Sequence, residues 1–322
     1  MNQKSPHAPP LRGSLPPEGA DPPWGGPAPD RRVAVVGAGN MGGAMVERLR
    51  EQGWAVAVCD IDTVRQLQAK AAGASLVETP AQAAAALGSQ DALIVCVVTA
   101  AQCAEVLFSK DGAVEQLQAG QTVVLCPTIA PEDVESIAAQ LAERGVLCID
   151  APMSGGPART REGSMSLMLA APSETIDRHA VLLAALSNQL IRISERLGDG
   201  ARTKLVNNLL AGINLVGAAE AMALAERLGL NLSTTLDVIE RSSGQSWIGS
   251  DRMRRAIAGD FEPRAHVTLL EKDTGLAIQA AKSVGFEGPL GQHAANTFAS
   301  AHAAGLAELD DAALFTLLRT PR

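Results

Sequence analysis

From residue 32 onward, short apolar runs alternate with stretches whose apolar residues recur at helical spacing. The runs are rich in valine, alanine and isoleucine, which is typical of strands buried on both faces of a parallel sheet. The predicted strands are 32–36, 55–59, 75–77, 92–98, 122–126, 146–149, 164–170 and 189–193. The predicted helices are 44–51, 63–72, 80–87, 100–108 and 131–144. This alternation predicts a Rossmann-like α/β fold with a doubly wound parallel sheet.

Beyond Gly198 the pattern changes, and no further strand is predicted. The stretch 204–228 contains no proline, and its apolar residues follow a period close to 3.6, which indicates one long, buried helix. Further helices are predicted at 233–241, 249–258, 266–284, 289–304 and 311–318. We therefore expect a dinucleotide-binding domain at 31–195, followed at 196–322 by an all-α domain built on the long inter-domain helix.

The first 30 residues contain nine of the 18 prolines and have no periodic pattern, so a disordered tail is predicted there. The remaining composition narrows the class of protein. With 322 residues, 47% of them hydrophobic, the chain can bury a large core. A net charge of −8 without a basic stripe argues against a nucleic-acid partner. No apolar run is expected to be long enough to span a membrane.

The cysteines and histidines predict neither disulfides nor a metal site. Neither the five cysteines nor the five histidines have the spacing of metal ligands, and four of the cysteines, Cys59, Cys96, Cys126 and Cys148, fall in or beside predicted buried strands. These cysteines are expected to be core residues in a reducing cytoplasm. The chain has no tyrosine, which excludes a mechanism that needs a tyrosine–lysine proton relay.

A glycine-rich turn follows the first strand and precedes a helix. Gly37, Gly39 and Gly42 have the GxGxxG spacing, and this strand–turn–helix context is the one that the dinucleotide motif requires. The helix N-terminus supplies N–H groups and a positive dipole to phosphates. Asp60 ends the second strand, where a carboxylate can accept hydrogen bonds from the ribose hydroxyls. Because Asp60 would repel a 2′-phosphate and no arginine occupies 61 or 62, NAD is predicted over NADP.

Two later segments carry candidate chemistry. Ser154, Gly155 and Gly156 offer a hydroxyl beside consecutive backbone N–H groups, a combination that suits a carboxylate. Lys204 and Asn208 are four residues apart and share one face of the long helix. A buried lysine loses its proton more readily and can act as an acid or a base. From the residues alone, a surface lysine with a structural asparagine stays open.

Together these motifs resemble the β-hydroxyacid dehydrogenases of the 3-hydroxyisobutyrate dehydrogenase type, over about residues 31–320. The matching segments begin at Gly37, Asp150 and Gly198, and the last is Lys272-Asp273. The sequence from Ser243 to Trp247 is similar to the branch of this family that includes L-threonate dehydrogenase. Trp247 also admits an interpretation as a core residue.

The resemblance implies a role for each matching position. Lys204 would be the catalytic acid/base, Asn208 would hold the substrate, and the Ser154 segment would bind its carboxylate. The implied cofactor-binding positions, with those of the glycine motif, are Gly37, Gly39, Asn40, Met41, Gly42, Asp60, Ile61, Val97, Val98, Gln102, Thr128 and Lys272.

The sequence thus predicts a cytoplasmic enzyme, a homodimer or homotetramer, that oxidises a small 3-hydroxy acid such as L-threonate or 3-hydroxyisobutyrate with NAD. The alternatives are a reductase of a semialdehyde such as tartronate semialdehyde, or of glyoxylate, and a dinucleotide-binding sensor without turnover. A 6-phosphogluconate dehydrogenase is disfavoured because Asn207 stands where that family has a histidine.

Overall fold

The computed structural model describes residues 30–320, and the predicted tail lies outside them except for Asp30. Its first part alternates strands and helices as the apolar pattern predicts. The strands are β1 (Arg32–Val36), β2 (Ala55–Cys59), β3 (Ser75–Leu76), β4 (Ala92–Val95), β5 (Thr122–Leu125), β6 (Leu147–Asp150), β7 (Met153–Ser154), β8 (Ser166–Ala170) and β9 (Gln189–Ser194). The helices are α1 (Asn40–Glu51), α2 (Thr63–Ala71), α3 (Pro80–Ala85), α4 (Ala100–Phe108), α5 (Pro131–Ala142), α6 (Gly156–Glu162), α7 (Ser173–Arg178) and α8 (Ala180–Leu186).

These strands form one sheet in the order β3-β2-β1-β4-β5-β6-β8-β7, with β9 paired to β8. Strands β1 to β6 are parallel, which confirms the doubly wound arrangement. Strand β8 departs from the parallel arrangement, because it runs antiparallel to β6 and pairs Ala170 with Asp150. The chain between β6 and β8 folds back through β7 and the short α6, whereas a parallel neighbour needs a full crossover.

Helices cover both faces of the sheet and bury a separate apolar core on each. One core contains Met45 and Leu49 of α1 with Leu183 of α8. The other contains Leu107 of α4 and Leu141 of α5. Because both faces are buried, the strands read as continuous apolar runs rather than as alternating ones. Helices α6, α7 and α8 were not predicted from the apolar pattern, and all three have at most seven residues.

Between Asp199 and Thr320 the described chain forms helices and no strand, as predicted. They are α9 (Asp199–Arg227), α10 (Leu232–Glu240), α11 (Trp247–Ile257), α12 (Val267–Ser283), α13 (Pro289–Ala301) and α14 (Leu314–Arg319). Helix α9 is 29 residues long and contacts each of the other five. Their shared core is formed by side chains such as Leu215, Phe298 and Phe315. The long helix is therefore the axis of this part of the fold.

Helix α9 is longer and more apolar than the sequence led us to expect. Its best window has a mean hydropathy of 1.4, which meets the length and composition of a membrane span, so the expectation that no segment does so is wrong. The helix begins five residues before Lys204, so the lysine lies in its second turn rather than at its start. The helix contacts α10 to α14, and 39% of that window is buried within the chain.

A carboxylate of the sheet caps the N-terminus of this helix. The Oδ2 atom of Asp150, at the end of β6, accepts hydrogen bonds from the N–H groups of Gly198 and Ala201, each at 3.0 Å. Burial raises the pKa of Asp150 to about 6, although these backbone hydrogen bonds oppose the rise. A side chain at Gly200 would lie 2.8 Å from the same oxygen. This contact holds the helix against the end of the strand.

Replacement of Gly200 by alanine should therefore destabilise the protein. The added methyl group would displace the Asp150 carboxylate from the helix N-terminus, and overpacking of this kind costs about 1–3 kcal/mol. Gly275→Ala in α12 is the matched control, because a Cβ there meets no atom within 4 Å. Chemical denaturation should show lower stability for Gly200→Ala and equal or higher stability for Gly275→Ala. Equal stability of the two variants would contradict the role of Asp150.

Candidate active site

The glycine-rich turn between β1 and α1 has the shape that a pyrophosphate requires. Gly37 has φ +91°, and a Cβ there would lie 2.6 Å from the carbonyl oxygen of Cys96. A Cβ at Gly42 would lie 1.9 Å from the carbonyl oxygen of Gly37. A Cβ at Gly39, the N-cap of α1, would instead meet no atom within 4 Å. Two glycines thus allow close packing, and the third leaves room for a ligand at the N-terminus of α1.

Asp60 and a nearby arginine flank this turn. The two carboxylate oxygens of Asp60 accept hydrogen bonds from the N–H groups of Ala38 at 2.5 Å and Asp62 at 2.8 Å. Arg65, in the first turn of α2, donates to the Oδ1 atom of Asn40 at 3.0 Å. Arg65 was not predicted as a cation of this site, because it lies beyond positions 61 and 62 in sequence and α2 returns its side chain to the glycine turn. Ile61 is 97% exposed.

The ends of β4 and β5 carry other predicted cofactor residues. Val97 packs close to Gly37, while Val98 is half-exposed. Gln102 accepts hydrogen bonds from the N–H groups of Val98 and Thr99, so its amide caps the turn before α4. The same side chain therefore shapes the loop after β4 whether or not a cofactor is bound.

Lys272 connects the helical part to the loop after β5. Its Nζ atom donates to the carbonyl oxygen of Thr128 at 2.5 Å and to the carboxylate of Asp273 at 2.6 Å. The structure thus brings two predicted cofactor residues, far apart in sequence, into direct contact. This contact lies where ligands bind in open α/β sheets, beyond the carboxyl ends of the strands.

The segment after β6 leads to the predicted carboxylate site. Ser154 ends β7, and Gly155 and Gly156 follow with φ angles of +132° and +73°. A Cβ at Gly156 would meet no atom within 4 Å, whereas one at Gly155 would crowd Arg159 and Met165. Because this segment leaves the sheet four residues after Asp150, it lies at the same sheet edge as the start of α9.

Lys204 is buried, with 7% of its surface exposed, so the interpretation as a surface lysine is wrong. Burial lowers the pKa of Lys204 to about 8. The negative charge of Asp273 opposes that shift, and the positive charge of Lys272 adds to it. A lysine with such a pKa can both take up and release a proton near neutral pH.

Asn208 lies one turn further along α9 and is also buried. Its Nδ2 atom donates to Oδ2 of Asp273 at 2.5 Å, and its Oδ1 atom accepts from Nδ2 of Asn207 at 3.0 Å. These two hydrogen bonds fix which way the amide faces. In the sequence, Asn207 stands out only as a difference from another family, and Asp273 has no predicted role of its own.

Further residues named by the sequence analysis have other surroundings. Gln245 is exposed, and Trp247 is 52% exposed, with the guanidinium of Arg252 5.8 Å from its ring centroid, so Trp247 is not a core residue. Met41, in the first turn of α1, accepts a weak hydrogen bond from Thr160 of α6. Among residues 30–320, no three histidine, cysteine or acidic side chains are grouped so that they could hold a metal ion.

A doubly wound sheet with this glycine turn, joined to helices that bring a buried lysine to the sheet edge, defines a nicotinamide-dinucleotide-dependent dehydrogenase. Two family models match the chain. The NAD-binding domain of 6-phosphogluconate dehydrogenase matches residues 32–194, and the NAD-binding domain of NADP-dependent 3-hydroxyisobutyrate dehydrogenase matches residues 198–318.

Individual proteins agree with these matches. L-threonate dehydrogenase from Cupriavidus necator is 36% identical over 89% of this chain and 96% of its own length. The crystal structure of 3-hydroxyisobutyrate dehydrogenase from Salmonella typhimurium has a TM-score of 0.83 at 33% identity, and the match covers 89% of this chain and all of that one. A complex of Psf3 with NADP+ and 2-OPP has a TM-score of 0.83 at 26% identity, with coverages of 89% and 99%.

The chain therefore belongs to the 3-hydroxyisobutyrate dehydrogenase family of hydroxy-acid dehydrogenases. This confirms the family predicted from the motifs. It also confirms the predicted fold, an α/β dinucleotide-binding part followed by a helical part.

Proposed function

We propose that this protein oxidises the hydroxyl group of a small 3-hydroxy acid and uses Lys204 as the acid/base. The observation that carries the proposal is the buried lysine, with a pKa of about 8, one helical turn from the fixed amide of Asn208. The similarity to L-threonate dehydrogenases makes L-threonate the first substrate to test, and 3-hydroxyisobutyrate the second.

The residues that would hold the cofactor fit a nicotinamide dinucleotide. The open face of Gly39 and the N-terminus of α1 would receive the pyrophosphate, and Asp60 would accept hydrogen bonds from the adenosine ribose. Val97, Thr128 and Lys272 would lie toward the nicotinamide. When bound, the oxidised cofactor supplies the hydride acceptor.

The chain's own residues would hold the substrate and move its proton. The hydroxyl of Ser154 and the N–H groups of Gly155 and Gly156 would donate hydrogen bonds to the substrate carboxylate. The free N–H of the Asn208 amide would donate to the substrate hydroxyl oxygen. The neutral amine of Lys204 would accept the hydroxyl proton while the carbon loses its hydride.

The reverse reaction uses the same residues. For reduction of a semialdehyde or of glyoxylate, the Lys204 ammonium would donate its proton to the carbonyl oxygen, so the physiological direction is not decided by these groups. We place the enzyme in the cytoplasm, where its five free cysteines remain reduced. We also retain the division into a dinucleotide-binding domain at 31–195 and a helical domain at 196–322.

We infer that NAD is the preferred cofactor. The Asp60 carboxylate would repel the 2′-phosphate of NADP, whereas the uncharged ribose of NAD can donate hydrogen bonds to it. The nearby Arg65 would favour NADP, because its guanidinium can attract a phosphate. Psf3, which has a similar structure, forms a complex with NADP+, so a protein of this fold can hold the phosphorylated cofactor.

A panel of hydroxy acids, each assayed with both cofactors, tests the function. We expect reduction of NAD with L-threonate or 3-hydroxyisobutyrate, and a kcat/KM at least about tenfold higher with NAD than with NADP, equivalent to about 1.4 kcal/mol. Asp60→Ser should narrow that difference. Tight binding of NAD without turnover of any hydroxy acid or semialdehyde would favour the sensor instead, and equal use of both cofactors would contradict the role of Asp60.

The pH dependence of the reaction tests Lys204. Because oxidation needs the neutral amine, kcat/KM should rise with pH and level off above about 8, and in the reductive direction it should fall above that pH. Lys204→Met should lower kcat by about 10²–10⁴-fold while NAD binding persists. Lys204→Arg should not restore activity, because a guanidinium keeps its proton.

The exposed Lys282 provides the matched control for this substitution. Lys282→Met should keep the parental rate and the parental pH profile. If Lys204→Arg retained the parental kcat on an active substrate, Lys204 would not be the acid/base.

We further propose that the enzyme is at least a homodimer, in which a second copy covers a groove beside α9. Only 39% of the apolar window of α9 is buried within the chain, and Leu224 is 57% exposed. The groove is lined by α9, α13 and α14. Exposed apolar area of this kind marks an association surface.

Light scattering after gel filtration should give at least twice the 33.3 kDa mass of the chain. Leu224→Glu should reduce that mass, because a carboxylate would be buried in the interface. Val181→Glu on α8, at a side chain that is 61% exposed, is the control and should not change it. A monomeric parent protein would refute the proposal.

A further inference from the structure

The carboxylate of Asp273 is surrounded by the groups that the proposed mechanism uses. It is buried, with 6% of the residue exposed, in the first half of α12. One oxygen accepts the Asn208 amide, and the other accepts the ammonium of Lys272. Since it also acts electrostatically on Lys204, one carboxylate serves three polar side chains from two helices.

The hydrogen bonds decide the direction of the Asn208 amide. Its Oδ1 atom accepts a hydrogen bond from Asn207 and one of its two N–H groups donates to Asp273, so one N–H remains as a donor for another partner. If the amide were flipped, its oxygen would face the carboxylate of Asp273, which has no proton to donate when ionised. Asp273 therefore selects the orientation in which Asn208 is a donor to the ligand.

The same carboxylate provides the counter-charge for two lysines, the buried Lys204 and the partly buried Lys272. The other charged groups near the first turns of α9 are engaged elsewhere: Asp150 accepts backbone N–H groups, and Glu135 of α5 pairs with Arg202. Glu271, two residues before Asp273, pairs with His302. The arginines of α11 pair with acids of α10, with Asp251 of α11 itself, or with Asp310 and Asp311. His293 of α13 lines the groove beside α9.

We propose that Asp273 is a positioning residue, which orients Asn208 toward the substrate and keeps Lys204 able to hold its proton within the catalytic cycle. The inference rests on the proposed function, because Lys204 and Asn208 are assigned there. Lys272, which donates a hydrogen bond to Asp273, also donates one to the carbonyl oxygen of Thr128. Asp273 itself contacts neither the glycine turn nor the Ser154 segment by any hydrogen bond among the described residues.

Asp273→Asn removes the charge and keeps the shape, and the pH profile of kcat/KM is the deciding measurement. Without the carboxylate, the protonated form of Lys204 loses its stabilising partner. The rise of kcat/KM with pH should therefore occur about one pH unit or more lower than in the parent. We also expect kcat/KM at the optimum to fall by about ten- to a hundredfold, since a small misplacement of the substrate has that effect. The Kd for NAD should change by less than about threefold.

Two other variants separate charge from position and from folding. Asp273→Glu keeps the charge on a longer stem, so the pH profile should return toward the parental one while kcat/KM at the optimum stays below the parental value. Glu271→Gln, on the same helix, removes a carboxylate that pairs with His302 instead, and it should leave the profile unchanged. An unmoved profile in Asp273→Asn, or an equal shift in Glu271→Gln, would overturn the inference.

A measurement without turnover distinguishes this inference from the proposed function. The chain has six lysines, so an NMR titration of protein labelled with ¹³C at the lysine ε-carbon can follow Lys204, assigned by its loss in Lys204→Met. The titration midpoint of Lys204 should be lower in Asp273→Asn than in the parent. If no hydroxy acid is oxidised but the midpoint moves, the function fails and the positioning role stands; an unmoved midpoint overturns that role alone.

Discussion

The hydrogen bonds from the start of α9 to Asp150 are the contact on which the arrangement of the site depends. They join β6, the strand that ends the parallel run β1 to β6, to the helix that carries Lys204 and Asn208. A helix N-terminus has unpaired N–H groups and a partial positive charge, and a carboxylate satisfies both. Because Asp150 also precedes the Ser154 segment, one residue places the candidate acid/base helix and the candidate carboxylate site at the same sheet edge.

A second set of contacts, made by α12, also joins the helical part to the sheet. Lys272 reaches from α12 to the carbonyl oxygen of Thr128, and Asp273 beside it holds Asn208 of α9. The sheet and the helices are thus connected at the ends of two neighbouring strands, β5 and β6. This arrangement keeps a buried lysine in fixed surroundings, and burial is the largest cause of its lowered pKa.

Much of this fold could be predicted from sequence because its signals are local. The apolar runs gave β1, β2 and α4 with the bounds that the structure has, and the glycine spacing gave the turn at Gly37. The strand direction at β8 and the short helices α6 to α8 could not be obtained in this way. Strand pairing is a long-range property, and helices this short carry too few residues to show a period.

The site was only partly predictable for the same reason. Lys204 and Asn208 share a helix face, so their spacing was visible in the sequence. The contacts of Asp150 with Gly198 and of Asp273 with Asn208 join residues 48 and 65 positions apart, and the spacing of a single sequence gives no sign of them. Arg65 was missed because an arginine was sought beside Asp60 in sequence, whereas α2 brings it to Asn40 in space.

The charges of the site explain why a hydroxy acid suits it better than a neutral alcohol. Lys204 and Lys272 provide two positive charges when both are protonated, and Asp273 provides one negative charge. Unbalanced charge in a buried place is costly, so the site as it stands favours entry of an anion. A carboxylate held by the Ser154 segment would supply that anion and raise the proton affinity of Lys204 again. Substrate binding and the proton affinity of Lys204 are therefore coupled through the same few charges. The carboxylate of Asp273 contributes to that proton affinity before the substrate binds.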